Sequence, residues 1–527
     1  MKKLRKALAF LCKNGLEGHL GNLNRGIEKE SLRVDADGVL AQTPHPGALG
    51  SPLTHPSITT DYSEALLEFV TPVHTDVDRL LRNLFTIHHF TYQNLAGEKL
   101  WVNSMPCIVR GEEHIPIARY GASNVGKMKE AYRRGLSLRY GSFMQTIAGI
   151  HFNFSLPEEF WRGFLDTDDA AVIKDKKSFY YFALIRNFHR HAWLGCYLFG
   201  ASPAVCKSFL QGREHVLDDF DASSFYAPWA TSLRLSGLGY DSSAQADIAV
   251  DYNSVRDFVS SLRRAIQSPR PQYRQFGVKV DGVYRQLNAN WLQIENEFYS
   301  VIRPKRVADS GESPSRALQQ RGVQYVEVRS VDLNPFVPVG IDAHCVRFFD
   351  MLLLYCLFSH SPGIGREEWA CASENRQRVV MNGRRTGLKL CIRPGQPAEE
   401  AAFSRCARKL LNHMQPLAEL LDQVTGGDGY RSSLQSQLAK VDDPALTPSA
   451  RIIREMTEQK MSFYEFAMDR AERHEKLFKE TRLDEQVHEK MRAEAARSHR
   501  RQKEIEAGDE LNFDEFLADY FRRQNQD

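Results

Sequence analysis

Residues 147–155 read IAGIHFNFS, the cleanest alternation in the chain. In an extended strand, Ala148, Ile150, Phe152 and Phe154 share one face, and Gly149, His151, Asn153 and Ser155 share the other. The apolar face demands a core beneath it, so the segment belongs to a packed sheet. The opposite face is polar but carries none of the threonine and lysine that usually meet solvent, so it reads as the lining of a cleft.

Working outward, RGIEKESLRV at 25–34 repeats the design. Glu28 and Glu30 lie on one face, Ile27 and Lys29 on the other. ALLEFVTP at 65–72 places Glu68 inside an apolar run, after Asp61 in TTDYSEA. NWLQIENEFYS at 290–300 sets Gln293, Glu295 and Glu297 against Leu292, Ile294 and Phe298. VQYVEVRSV at 323–331 groups Tyr325, Glu327 and Arg329 opposite Val326 and Val328. One antiparallel strand with a wet face is ordinary. Several whose polar faces are acids and an imidazole point instead to a shared site, because ionised carboxylates in apolar strands need a cation. Oxygen donors with a single imidazole suit a hard divalent ion, magnesium or manganese in preference to zinc.

The predicted strands are therefore 25–34, 65–71, 147–155, 291–300 and 324–331. They do not alternate with helices of crossover length, which favours a mostly antiparallel α+β sheet over a parallel one. The apolar segments 175–200 and 345–358 predict helices on a sheet face. Leu4, Leu8 and Leu11 recur at helical spacing, and the short run ALAFLC is no secretory leader. From about 398 the pattern turns helical, with a break at Gly426 and Gly427, and residues 462–508 alternate Glu with Lys and Arg as a solvated helix does. The expected organisation is a sheet-bearing region over 1–395 and a helical region over 396–527, packed on it or extending from it.

Lys and Arg number 69 against 66 Asp and Glu in 527 residues, a balance that argues against nucleic acid or a membrane surface as partner. The nine cysteines are scattered without a CxxC pair, which fits a reducing cytoplasm.

The order and spacing of RGIEKESLRV, TTDYSEALLEFVTP, LWVNSMPC, YGASNVGKMKEAYRRGLSLRYG, MQTIAGIHFNFS, LFGASPA, ATSLRLSGLGY, LQIENEFYSVIRPKR, SGESPSRAL and YVEVRSVDLNPF resemble the proteobacterial type of glutamate–cysteine ligase. The resemblance runs from about residue 20 to 350 and weakens beyond. It implies a glutamine synthetase-like fold, a curved antiparallel sheet forming a funnel flanked by helices. ATP and several magnesium ions (manganese as a substitute) would lie along that funnel. It also explains the missing GxxxxGK[ST] loop, since metals hold the phosphates.

Carried over by position, the resemblance implies Glu28, Glu30, Asp61, Glu68, His151 and Glu327 as metal ligands. Arg133 and Arg234 would grip substrate carboxylates with a planar fork. Arg329 would contact the transferring phosphoryl group as the catalytic residue, and Asn153 and Gln293 would join it around the nucleotide. Tyr62, Tyr132 and Tyr240 would wall the cysteine pocket. Tyr62 stands where the family commonly has phenylalanine, so its hydroxyl needs a partner; Arg134 stands where an acid is common.

The implied reaction, the first step of glutathione biosynthesis, has two stages. The γ-carboxylate of L-glutamate takes the γ-phosphoryl group of ATP, and the amine of L-cysteine then displaces phosphate to give γ-glutamylcysteine, ADP and phosphate. YGASNVG or SGESPS could close over the acyl phosphate. The expected species is a monomer that handles small molecules only. The rival readings are a ligase with another acceptor amine, a two-metal phosphohydrolase, and a binding protein that retained the fold.

Overall fold

A computed structural model describes residues 2–106, 108–239, 245, 247–309, 312–395 and 398–525. Strand β1 (Asn24–Val34) is the spine of a sheet with β2 (Ile58–Thr60), β3 (Leu66–Val70), β4 (Lys99–Leu100), β5 (Ile150–Ser155), β6 (Ile302–Lys305) and β7 (Tyr325–Val331). The order is β6-β7-β5-β1-β3-β2, with β4 pairing the end of β1, and every pairing is antiparallel. The sheet is open, and the alternation read from the sequence decides its two faces.

The back face is apolar. Ile27, Ile150, Phe152, Phe154, Val326 and Val328 are fully buried. Helix Ala170–Phe199 lies against β6 and β7, and Ala343–Phe358 packs on it. Phe152 meets Phe349 of the latter with ring centroids 5.9 Å apart. Both helices are buried through most of their length, as their near-continuous hydrophobicity predicts. The first helix, Lys2–Lys13, buries Leu4, Leu8 and Leu11. No helix among the described residues is long and apolar enough to cross a membrane.

The predicted strand 291–300 is corrected by the structure: a short 3₁₀ turn, Glu295–Glu297, stands there, and the sheet strand begins at Ile302. The carboxylates explain the turn. Glu297 accepts from Gln293 N at 2.7 Å, Arg139 Nη1 at 3.0 Å and the Tyr140 hydroxyl at 2.7 Å. Glu295 accepts from Ser315 N at 2.7 Å and from the Ser315 hydroxyl. Side chains that bind nearby backbone and a buried guanidinium compete with a sheet ladder.

Hairpin Lys389–Arg393 with Glu399–Ala402 straddles residue 396. One core cluster also takes residues from both sides of that position. Arg25 of β1 pairs with buried Asp350 at 2.9 Å, and Tyr430, on helix Gly429–Asp442, donates to Asp350 at 3.0 Å. The helix Phe403–Thr425 stops before Gly426 and Gly427, both at positive φ. Cys371 and Cys391 form a disulfide, a pairing that the scattered spacing did not announce.

Candidate active site

The polar face of the sheet opens into a cavity of about 680 Å³. All six residues expected to ligate metal line it: Glu28, Glu30, Asp61, Glu68, His151 and Glu327. Register brings them there. Glu28 pairs with His151 across β1 and β5, and Glu30 pairs with Glu68 across β1 and β3. Donor atoms of Glu28, His151 and Glu327 all lie within 4.8 Å of one another. His151 Nδ1 is 3.1 Å from Glu28 Oε2 and 3.9 Å from Glu327 Oε1, and its Nε2 is 3.8 Å from Glu30 Oε1.

The electrostatics of this cluster call for a cation. Burial, then the charge of Asp61, pushes Glu30 up to about 8. Burial, followed by the charges of Glu28 and Asp61, raises Glu68 well above the ordinary carboxylate range. Burial also raises Glu28 and Glu327, but their partners prevail and hold both below that range: the hydrogen bond with His151 and the charge of Lys305 for Glu28, the charges of Lys305 and Arg329 for Glu327. Burial, then Arg329, lowers His151, leaving the neutral imidazole that ligation requires. Glu327 Oε1 is buried without a hydrogen bond, its nearest charged neighbour being Lys305 Nζ at 3.2 Å. These donors fit a hard divalent ion.

Arg329 follows Glu327 on the same face and touches its Oε2 through Nη1 at 3.0 Å. The pairing of β7 with β5 slips between Val328 and Val331, a bulge of the kind that re-aims side chains at functional sites. Arg329 and Tyr299 line both the main cavity and a second one of about 370 Å³. Arg133 lines the first and Arg234 the second, so the two predicted carboxylate grips fall in different cavities that share Arg329.

Helix Asn124–Tyr140 carries Arg133, whose guanidinium stacks 4.6 Å from the Tyr120 ring and donates Nε to the Asp61 carbonyl at 2.5 Å. Arg234 is buried, donates Nη2 to the Arg329 carbonyl at 2.9 Å and lies 3.6 Å from Asp332. A Cβ built on Gly149 would stand 1.9 Å from Arg234 Nη2. Glycine in the polar face of IAGIHFNFS thus makes room for this arginine.

Tyr62 and Tyr132 line the main cavity, and the Tyr62 hydroxyl finds its partner in Ser142 Oγ at 3.1 Å. Arg134 points away, pairing with Glu130 and donating to the Tyr284 carbonyl at 2.8 Å. Tyr240 lies outside the described residues, as do Ser310 and Gly311 of SGESPS. Asn153 stands behind Glu28, donating Nδ2 to it at 2.7 Å. Gln293, expected at the nucleotide, is fully buried. It accepts from Leu287 N at 2.9 Å and donates to the Tyr132 carbonyl at 3.1 Å, bonds that brace the cavity-lining helix Asn124–Tyr140. The loop YGASNVG is tied down, Ala122 N donating to Glu506 at 2.8 Å and Asn124 N to Asp509 at 2.6 Å.

The sequence reading missed Lys129, Arg303 and Lys305, all lining the cavity. Arg303 sits opposite Glu327 in register. With the strand placed at 291–300, the period of two stopped short of the basic residues in IRPKR. Lys129 is lowered to about 8 by burial and then by Arg133.

A one-sided antiparallel sheet that gathers five carboxylates and an imidazole beside arginine and lysine has the side-chain set of an enzyme that handles phosphate groups. The profile of the Glutamate-cysteine ligase family matches residues 8–379. A glutamate–cysteine ligase of Azotobacter vinelandii is 51% identical over 98% of this chain and 97% of its own. One of Alcanivorax borkumensis is 48% identical over 99% and 100%. The crystal structure of the Francisella tularensis glutamate–cysteine ligase in complex with AMP superposes with a TM-score of 0.89 at 35% identity, covering 96% of this chain and 98% of that one. The chain belongs to the glutamate–cysteine ligase family, and its fold is the glutamine synthetase-like fold that the resemblance implies, built on the antiparallel α+β sheet expected from the strand pattern.

Proposed function

We propose that the main cavity takes ATP with magnesium and the acceptor amino acid, and that the second cavity takes glutamate, the two meeting at Arg329. The family activity is ATP-dependent ligation of the glutamate γ-carboxyl to the cysteine amine through γ-glutamyl phosphate, giving γ-glutamylcysteine for glutathione biosynthesis. The observation that carries the spatial reading is the position of Arg329 between two cavities, with Arg234 in one and Arg133 in the other.

Two anions must meet in the first step. The glutamate γ-carboxylate attacks the γ-phosphorus, the bond to the β-γ bridging oxygen breaks, and ADP leaves. Arg329, with its planar fork, faces the charge on the equatorial phosphoryl oxygens, and Lys305 and Arg303 add positive field beside Glu327. Magnesium held by Glu28, Glu30, Asp61, Glu68, His151 and Glu327 would supply Lewis-acid charge neutralisation of the triphosphate. In the second step the cysteine nitrogen attacks the acyl carbon, the bond from that carbon to the phosphate oxygen breaks, and the departing phosphate takes up the proton that the amine loses. Arg133 anchors the acceptor carboxylate beside Tyr62 and Tyr132.

ADP release with Mg-ATP and glutamate, measured with and without cysteine, tests the reading. Release that needs glutamate and rises sharply with cysteine supports it; equal release without amino acids would indicate a phosphohydrolase. Profiling cysteine against 2-aminobutyrate and alanine tests the acceptor.

A further inference from the structure

The C-terminal helix Phe513–Asn525 is built differently from the charged helices before it. Phe513, Leu517 and Phe521 recur four apart and dock it, Leu517 packing with Ala131 and Leu287. Asp514 takes Lys279 Nζ at 2.6 Å and the Tyr284 hydroxyl at 2.7 Å. The segment leading into it binds the start of helix Asn124–Tyr140, with Asp509 accepting from Asn124 N and the Leu511 carbonyl from Asn124 Nδ2 at 2.8 Å. The helix therefore has a fixed place. A second stripe, Phe516, Asp519, Tyr520 and Arg523, follows helical spacing and lines the active-site cavity.

The end of the cavity that this stripe closes can be identified. Tyr520 lies within electrostatic reach of Glu295, whose carboxylate binds Ser315, and Glu312 and Pro314 line the same cavity just before Ser315. Phosphates held beside Glu28, His151, Glu327 and Lys305 leave a nucleoside only the rest of the cavity to occupy. At this end Ile294, Pro314, Phe516 and Tyr520 supply an apolar and aromatic lining, the surface that a flat heteroaromatic base prefers. Asp519 and Arg523 pair at 2.6 Å on the same stripe.

We infer that the C-terminal helix is the nucleoside wall of the active site, with Phe516 and Tyr520 as positioning residues for the base of the nucleotide. This rests on the reading that Mg-ATP occupies the cavity. It places a determinant of nucleotide affinity in a segment beyond residues 8–379, which the family profile matches.

The test uses the full chain. Phe516→Ala and Tyr520→Ala should each raise the KM for Mg-ATP by about fivefold or more, the loss expected for one aromatic contact with a base. The KM for glutamate and for cysteine should stay within about twofold, and kcat should fall far less than KM rises. Tyr520→Phe, which keeps the ring, should retain wild-type nucleotide KM. In the unaltered protein, Mg-ADP should slow amide exchange of residues 513–525 while glutamate alone does not. Unchanged nucleotide KM in both alanine variants, a parallel rise in all three KM values, or exchange indifferent to Mg-ADP would each overturn the inference. A wild-type protein that turns over no ATP would instead overturn the reading beneath it.

Discussion

Glu28 and His151 face each other across β1 and β5, carboxylate oxygen to Nδ1 at 3.1 Å, with Glu327 closing a triangle of donor atoms. The contact joins two elements through register alone, so the cluster is a property of the sheet. Glu28→Gln keeps the shape and a hydrogen-bonding oxygen but removes the negative charge. Ligation should fall at least a hundredfold, and Mn²⁺ affinity measured by paramagnetic resonance should weaken tenfold or more, on the order of what altered metal shells lose. The melting temperature should hold, because one member of a crowded acidic group has become neutral. Near-normal turnover at saturating magnesium would remove Glu28 from the metal set.

Arg329→Lys keeps the charge and loses the fork. At a site where donors meet developing phosphoryl charge, kcat should drop by about a hundredfold while KM for glutamate and cysteine changes little. A rate within twofold of wild type would show that Arg329 only divides the cavities.

Tyr62 offers the acceptor pocket its ring, because its hydroxyl is already engaged with Ser142, which also lies 2.6 Å from Ser137 Oγ. Tyr62→Phe therefore leaves Ser142 a partner. The expected cost in denaturant unfolding is about 1 kcal/mol or less, with the cysteine KM within threefold. A tenfold rise in that KM would mean that the hydroxyl serves the substrate.

Gly149→Ala asks whether the packing around Arg234 matters for the donor. The added methyl would fall 1.9 Å from Nη2, too close for the guanidinium to stay. Glutamate KM should rise tenfold or more, on the order of one charge-assisted carboxylate contact, while the KM for ATP moves little. Unaltered glutamate KM would place the donor carboxylate elsewhere.

Why some of this was legible and some not follows from the range of the forces involved. Strands with a strict period of two, such as 147–155 and 324–331, reveal their faces because burial acts on alternate residues, and those faces single out Glu28, Glu30, His151 and Glu327, whereas Asp61 lies off the strands and entered the set only through the family resemblance. The 291–300 segment carries the same alternation and folds as a turn, because Glu295 and Glu297 are satisfied by Ser315, Arg139 and Tyr140, partners up to 158 residues away that no local pattern contains. The terminal helix was equally opaque: its sequence shows an amphipathic stripe, but what that stripe faces is set by docking on Ala131 and Leu287. The burial of Tyr62 against Ser142 likewise depends on a turn eighty residues downstream.

Buried histidines, His55 and His189 among them, weaken the fold as the pH drops. His55 accepts two backbone N–H groups at Nδ1, from Ser57 at 3.1 Å and Ile58 at 2.9 Å, which only the neutral ring can do. Burial lowers it to about 4. His189 packs against both Trp369 and Tyr252, with ring centroids 4.4 and 4.8 Å away, and burial and then Arg376 lower it to about 3. In the unfolded chain both titrate near 6.5. Between that value and the folded ones the unfolded state binds the extra protons, so stability is intact above about pH 6.5 and falls as the pH drops. Each ring should cost about 1.4 kcal/mol per pH unit once well below its unfolded value. Glu30 and Glu68, raised by burial, take up protons in the fold and act in the opposite sense, so the histidine contribution is read as a difference: relative to the wild type, the urea midpoint of His189→Phe should rise as the pH falls from 7 to 5. An identical slope in the variant would mean that His189 is protonated in the fold.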